Sequence, residues 1–200
     1  MKITSITQQE KLKGRYSIFV DGAYGFSLSE AALLESKLAR GQELSAAELK
    51  NWKQLSAEDK VSGQALRYAA MRLRSQWEME MYLSRKKVSP ALEKKILNKL
   101  INLSLLNDLT FARAWVANRR LLRPTSKRKL QQELRAKRVG DEVIDQVLAE
   151  DETTELEVLR ELVAKKRRLP KYRDDKLKLM QYLARQGFDY GDIKNVLEAS

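Results

Sequence analysis

The hydrophobic pattern of this chain of 200 residues changes character once. Near the start it is β-like. RYSIFV (Arg15 to Val20) and AYGFSL (Ala23 to Leu28) are β-prone runs separated by Asp21-Gly22. A two-residue Asp-Gly loop predicts a type I′ hairpin, because both central residues need positive φ. ITSITQQ offers a third strand. Ser29 is placed to cap a helix, EAALLESKLA, that Gly41 ends. Ser45 is placed to cap another, AAELKNWKQL. From about Gln64 onward the spacing is helical throughout.

Within that helical part the apolar skeleton recurs. Leu83, Leu134 and Leu183 serve as origins. Met79, Leu130 and Leu179 stand four positions before them, and Val88, Val139 and Phe188 five positions after. Ile96-Leu97, Val147-Leu148 and Val196-Leu197 complete the series. Cap residues recur with it. Ser75, Ser126 and Asp175 precede one helix of each unit, and Ser89, Gly140 and Asp189 precede the next. Glu78 completes a capping-box sequence with Ser75, and Pro90 stands at a first helical position. Leading helices are expected at Gln64 to Leu73, Asp108 to Leu122 and Thr153 to Arg168. Each unit is therefore a three-helix repeat of about 50 residues, a common size for tandem helical arrays.

The predicted fold is mainly α. Three tandem three-helix, helix-turn-helix-like repeats form an elongated curved array, preceded by a small N-terminal β-hairpin and helix segment. The expected divisions are residues 1–60 for the extension, then 64–106, 107–150 and 153–200 for the repeats.

Charge narrows the function. The net charge of +12 implies a polyanionic neighbour such as nucleic acid. The excess is local: residues 64–108 carry nine basic against four acidic side chains, and residues 109–150 ten against five. A helix-turn-helix DNA reader places its second helix in the major groove. In the middle repeat that helix is DEVIDQVLAED, which has no basic residue. Phosphates on both walls of a groove would repel it. The positive charge sits instead on the two preceding helices. Arg128 and Arg135 share a face with Gln132, opposite Leu130 and Leu134. Trp115 joins Phe111 and Val116 on an apolar face and reads as core.

The chemistry of an enzyme is missing. With no Cys and no His, thiolate catalysis and the usual general base are excluded. No phosphate-cradling GxxxxGK[ST] loop is present, and no metal or other cofactor is expected. The acidic pairs Asp141-Glu142 and Asp174-Asp175 suit helix capping. No membrane span or secretory leader is expected, and the absence of Cys is compatible with the cytoplasm.

Three elements in order carry a family resemblance. They are Arg74-Ser75 with Glu78-Met79, Leu106-Asn107-Asp108-Leu109-Thr110-Phe111-Ala112, and Leu130, Glu133, Leu134, Lys137, Arg138 and Val139. Together with the N-terminal hairpin they resemble the RecX family of bacterial recombination regulators over nearly the whole chain. The chain departs from that pattern where bend glycines are customary. Only Gly187 remains, with Lys87 and Arg138 in the other two places and Ser104 at a further one; Asn107 replaces an Asp. The bends at Lys87 and Arg138 are therefore expected to lack a left-handed cap or to carry mild strain.

The resemblance implies a non-enzymatic monomer whose partners are the RecA nucleoprotein filament and single-stranded DNA. It would lower recombinase, ATPase and coprotease activity. Arg72, Arg74, Arg113, Arg119, Arg120, Lys127, Arg128 and Arg135 are the expected contact surface. The alternatives are a helix-turn-helix transcription factor and a general single-stranded nucleic-acid-binding protein.

Overall fold

The structure is a computed structural model that describes residues 1–199. The chain divides into two compact units, one of Met1–Arg72 with Tyr82–Leu100 and one of Leu73–Met81 with the residues from Ile101 onward.

The first unit contains β1 (Ile3–Gln8), β2 (Arg15–Val20) and β3 (Ala23–Ser29), an antiparallel sheet in that order. Val20 pairs with Ala23 around Asp21 and Gly22, whose φ values are 50° and 81°. The predicted hairpin and the third strand are both present. Ile3, Ile18, Val20, Phe26 and Leu28 turn inward and pack with Leu38 and Leu44.

Helix α1 (Glu30–Ser36) starts where predicted, with the Ser29 side chain accepting from the Ala32 N–H. It stops earlier than predicted. Lys37 takes a left-handed φ of 54° and ends the helix, while Gly41 serves a later turn. The Ser36 hydroxyl donates to the Leu33 carbonyl and accepts from the Leu38 N–H. That local bonding competes with another helical turn and sends Leu38 into the core.

Helix α2 (Ala46–Ala70) begins with a complete capping box between Ser45 and Glu48. The sequence pattern predicts separate helices on either side of residues 56–63, whereas the structure has one. The polar residues there anchor the helix to the sheet. The Ser56 hydroxyl donates to the Ser27 carbonyl at 2.6 Å. Asp59 accepts from the Ser29 hydroxyl at 2.6 Å and pairs with Arg15 at 2.8 Å. With no proline to stop it, the helix tolerates Gly63 at a cost of roughly 1 kcal/mol. Helix α3 (Gln76–Arg85) and helix α4 (Pro90–Asn102) follow. In the first unit Tyr82 stacks on Tyr68 of α2, ring centres 4.1 Å apart.

The second unit holds two three-helix cores. In one, α5 (Asp108–Leu122), α6 (Lys127–Ala136) and α7 (Asp141–Glu150) enclose Phe111, Val116, Leu130, Leu134, Ile144 and Val147. In the other, α8 (Glu155–Arg167), α10 (Lys176–Arg185) and α11 (Tyr190–Glu198) enclose Leu159, Leu162, Leu179, Leu183, Ile193 and Val196. The spacing that defined the repeat is the spacing of these inward faces. A short helix, α9 (Pro170–Arg173), was not predicted. Pro170 starts it and Tyr172 is buried in the second core.

Of the two outcomes expected at the bends, the structure shows mild strain and not a missing cap. Lys87 and Arg138 have φ values of 54° and 57°, the left-handed conformation that Gly187 adopts at 90°. The cap is kept without glycine. At the middle bend the Val139 N–H returns to the Leu134 carbonyl at 3.2 Å. The steric cost of such a residue is roughly 1 kcal/mol.

Candidate contact surface

Four of the seven arginines of the middle repeat are held by carboxylates, three within the repeat and one, Arg120, by Asp151 just beyond it. Arg113 on α5 makes a two-pronged bond to Glu150 at the end of α7, both contacts 2.7 Å. These two side chains stay 50% and 41% exposed. The Arg113 hydrogen bond holds the Glu150 carboxyl down at about 2, helped by Gln146.

Arg120 is spent more deeply. It donates to Asp151 at 2.6 and 3.0 Å and to the Thr125 carbonyl, with side chains of Arg120 and Asp151 only 13% and 6% exposed. Burial works against ionisation of Asp151. The bonds from Arg120 and Thr153 outweigh it and hold the carboxyl below its ordinary range. Lys127 donates to the Leu148 and Asp151 carbonyls at 3.2 and 2.8 Å, satisfying orphan groups at the end of α7.

Arg119 and the Trp115 indole N–H both donate to Glu133, at 2.7 and 2.9 Å. The Arg119 guanidinium lies 4.9 Å from the Trp115 ring centre, and the Lys137 ammonium 5.4 Å from it. Trp115 is partly buried and packs on the core, as its spacing predicted. Arg135 reaches Asp141 at 2.7 Å, but this pair is open to solvent.

Two of the remaining predicted contact residues are exposed. The Arg128 side chain makes no hydrogen bond or ion pair among the described residues. Arg72 is exposed in the first unit. Arg74 is 6% exposed. The structure thus gathers Arg113, Arg119, Arg120, Lys127, Arg128 and Arg135 in one repeat, with unequal access to solvent. The outward face of α6 is the most available part, because Arg128, Gln132 and Arg135 lie away from buried Leu130 and Leu134.

The sequence reading missed the repeated junction inside the second unit. The Gln76 N–H donates to Asp108 at 2.7 Å, and the Lys127 N–H, in the equivalent place, donates to Glu155. Lys137 pairs with Glu78 at 2.8 Å; Lys129, equivalent to Glu78, donates to the Arg185 carbonyl at 2.7 Å. Gln186 then accepts from the Ser126 N–H and the Thr125 hydroxyl. Burial pushes the Asp108 carboxyl up, against the pull of the Gln76 N–H. These partners are too far apart in sequence to show a helical spacing, so only the recurrence of residue types could have hinted at them.

The fold defines a class of tandem three-helix modules with cationic residues on an outward helix face. The comparisons specify which one. Residues 107–148 match the family model for the RecX second three-helix domain, residues 153–197 that for the third, and residues 1–45 the regulatory protein RecX N-terminal domain. Regulatory protein RecX of Lactobacillus gasseri is 32% identical over 98% of this chain and 73% of its own length. The same-named protein of Listeria welshimeri is 35% identical over 75% of this chain, a match spanning 56% of that protein. A crystal structure of regulatory protein RecX superposes with a TM-score of 0.72 over 98% of both chains at 25% identity. RecX from Lactobacillus salivarius shares the fold, with a TM-score of 0.59 and 24% identity over 72% of this chain and 97% of its own. The chain belongs to the RecX family of non-enzymatic regulatory proteins. No helix among the described residues is long and apolar enough to cross a membrane.

Proposed function

We propose that this protein regulates the RecA recombinase by binding its filament on single-stranded DNA, limiting filament growth and lowering ATPase, strand-exchange and coprotease activities. It acts as a cytoplasmic monomer. Its repeats, at residues 64–106, 107–150 and 153–200, engage successive parts of a periodic partner. Several weak contacts on one chain then add up through a high effective concentration.

One observation carries this reading over a helix-turn-helix transcription factor. The helix that would enter a major groove, α7, is acidic, and its Asp141 and Glu150 are tied to Arg135 and Arg113. The outward face of α6 instead presents Arg128 and Arg135. That face suits contact with a phosphate backbone or an acidic protein surface and offers no base-reading helix.

The test is recombinase ATP turnover on single-stranded DNA with this protein present at a sub-stoichiometric ratio. Turnover and filament length are expected to fall, and Arg128→Ala with Arg135→Ala to weaken the effect. Unchanged turnover and length at near-physiological salt refute the proposal.

A further inference from the structure

The first unit carries a second cationic feature that charge counting hides. Residues 1–63 contain nine basic and eight acidic side chains, so the segment is almost neutral by composition. Five of those nine basic residues, Lys11, Lys13, Arg15, Lys53 and Lys60, nevertheless line a single cleft, and Arg67 from just beyond the segment joins them. A cleft of about 670 Å³ opens between α2 and the sheet with its β1–β2 loop. Lys53, Lys60 and Arg67 line one wall at intervals of seven residues, which places them on a single stripe of α2. Lys11 and Lys13 from the loop line the other.

No Asp or Glu lines this cleft. Arg15 at its floor is neutralised by Asp59 at 2.8 Å, so its charge is already spent within the fold. The five others differ. None makes a hydrogen bond or ion pair through its side chain among the described residues, and all five are exposed. Five cations without an ion-pair partner among the described residues surround one concavity whose lining holds no acid, and they repel one another. A polyanion would offset that repulsion.

An aromatic ring selects among polyanions. Tyr24 lines the same cleft and is 59% exposed. Phe19 braces it edge-on, ring centres 6.2 Å apart and planes at 84°. Large exposed aromatics gain little from water, whereas a base can stack on one beside a cationic track for its phosphates. An acidic protein segment or an anionic membrane would use the lysines and leave the ring idle.

We propose that this cleft is a binding site for single-stranded DNA, with Lys53, Lys60 and Arg67 following the phosphates and Tyr24 stacking a base. It shares no residue with the α6 face and can hold a free strand without a recombinase. The inference rests on the function proposed above only in taking DNA, not RNA, as the strand.

The test measures fluorescence anisotropy of a labelled oligothymidylate with the full-length chain across a salt series. Each phosphate contact on a single strand contributes a log–log salt slope of about −0.7, which is about fivefold in affinity at about 0.1 M salt. Lys53→Ala with Lys60→Ala should therefore weaken binding about 25-fold and flatten the slope by about 1.4. Both side chains are exposed and alanine favours helix, so the double variant keeps the fold. Tyr24→Ala should weaken binding about tenfold at unchanged slope, and Tyr24→Phe should bind like the parent.

A double lysine variant within twofold of the parent overturns the site. Equal affinities for Tyr24→Ala and Tyr24→Phe overturn the strand as occupant and favour an acidic protein. A single-stranded RNA bound more than tenfold tighter than DNA overturns the assignment to DNA. Because the measurement needs no recombinase, loss of oligonucleotide affinity in the lysine variant supports the cleft even if recombinase turnover is unaffected by the parent chain.

Discussion

Arg120 and Arg128 lie one helix apart, and both belong to the expected contact surface, yet the structure gives them opposite tasks. Replacing Arg120 with Met removes its bonds to Asp151 and the Thr125 carbonyl. Asp151 would be left with Thr153 as its side-chain partner. Its side chain is 6% exposed, so solvent screens little of the loss. Breaking one partner out of such a buried pair costs about 3–5 kcal/mol. The bond that Thr153 still donates to Asp151 favours the lower figure. For a chain of this length about 3 kcal/mol corresponds to a fall in Tm of roughly 6–12 °C. Arg128→Met, on the open face of α6, should stay within about 0.5 kcal/mol of the parent. Thermal melts followed by circular dichroism at pH 7 separate the two. Adding Asp151→Ala to Arg120→Met should recover part of the loss, since the stranded charge is then gone. A Tm for Arg120→Met no lower than that of Arg128→Met refutes the reasoning.

Other outcomes follow from the same structure. Gly187→Ala should destabilise the second unit by about 2 kcal/mol in a denaturant melt, because the φ is 90° and the new Cβ would strike the Ser126 hydroxyl and approach Lys129 Cβ to 3.2 Å. Lys87→Gly should be neutral or stabilise by up to about 1 kcal/mol, relieving a φ of 54° against the extra entropy of an unfolded glycine. Glu150 titrates lower folded than unfolded, so its contribution is present above its ordinary value of 4.5 and is lost as pH falls toward about 2. Arg113→Gln should flatten the stability profile in that acid window and leave it unchanged near pH 7 apart from a constant offset. Asp108 has the opposite sign. Its raised carboxyl makes ionisation cost stability as pH rises through the folded value, so Asp108→Asn, which keeps the acceptor for Gln76, should be as stable as the parent or more so near pH 7.

The repeat was legible because burial acts on every helix in the same way. Leu83, Leu134 and Leu183 recur because a helix that packs through one stripe must repeat its apolar positions. The hairpin was legible because Asp21 and Gly22 tolerate positive φ. Helix α2 was misread because Ser56, Asp59 and Gly63 are breakers by local propensity, and only contact with Ser27, Ser29 and Arg15 makes them anchors. The pairing of the candidate contact arginines was not legible in the sequence. Arg113, Arg120 and Arg128 look alike along the chain, and what distinguishes them is a carboxylate about thirty or more positions away, or none. The cleft beside α2 was invisible to a segment-wise count, since its cations are balanced in sequence by acids that point elsewhere.

The two-pronged clasp between Arg113 and Glu150 turns any encounter with phosphate into an exchange. An incoming anion must evict a resident one that stays ionised far into acid, and the evicted group goes back to water still bearing its charge. Tallying guanidinium groups therefore overstates how many backbone contacts this surface can form. If the proposed function holds, the grip of this surface on a charged fibre is tuned by how readily its own acids let go.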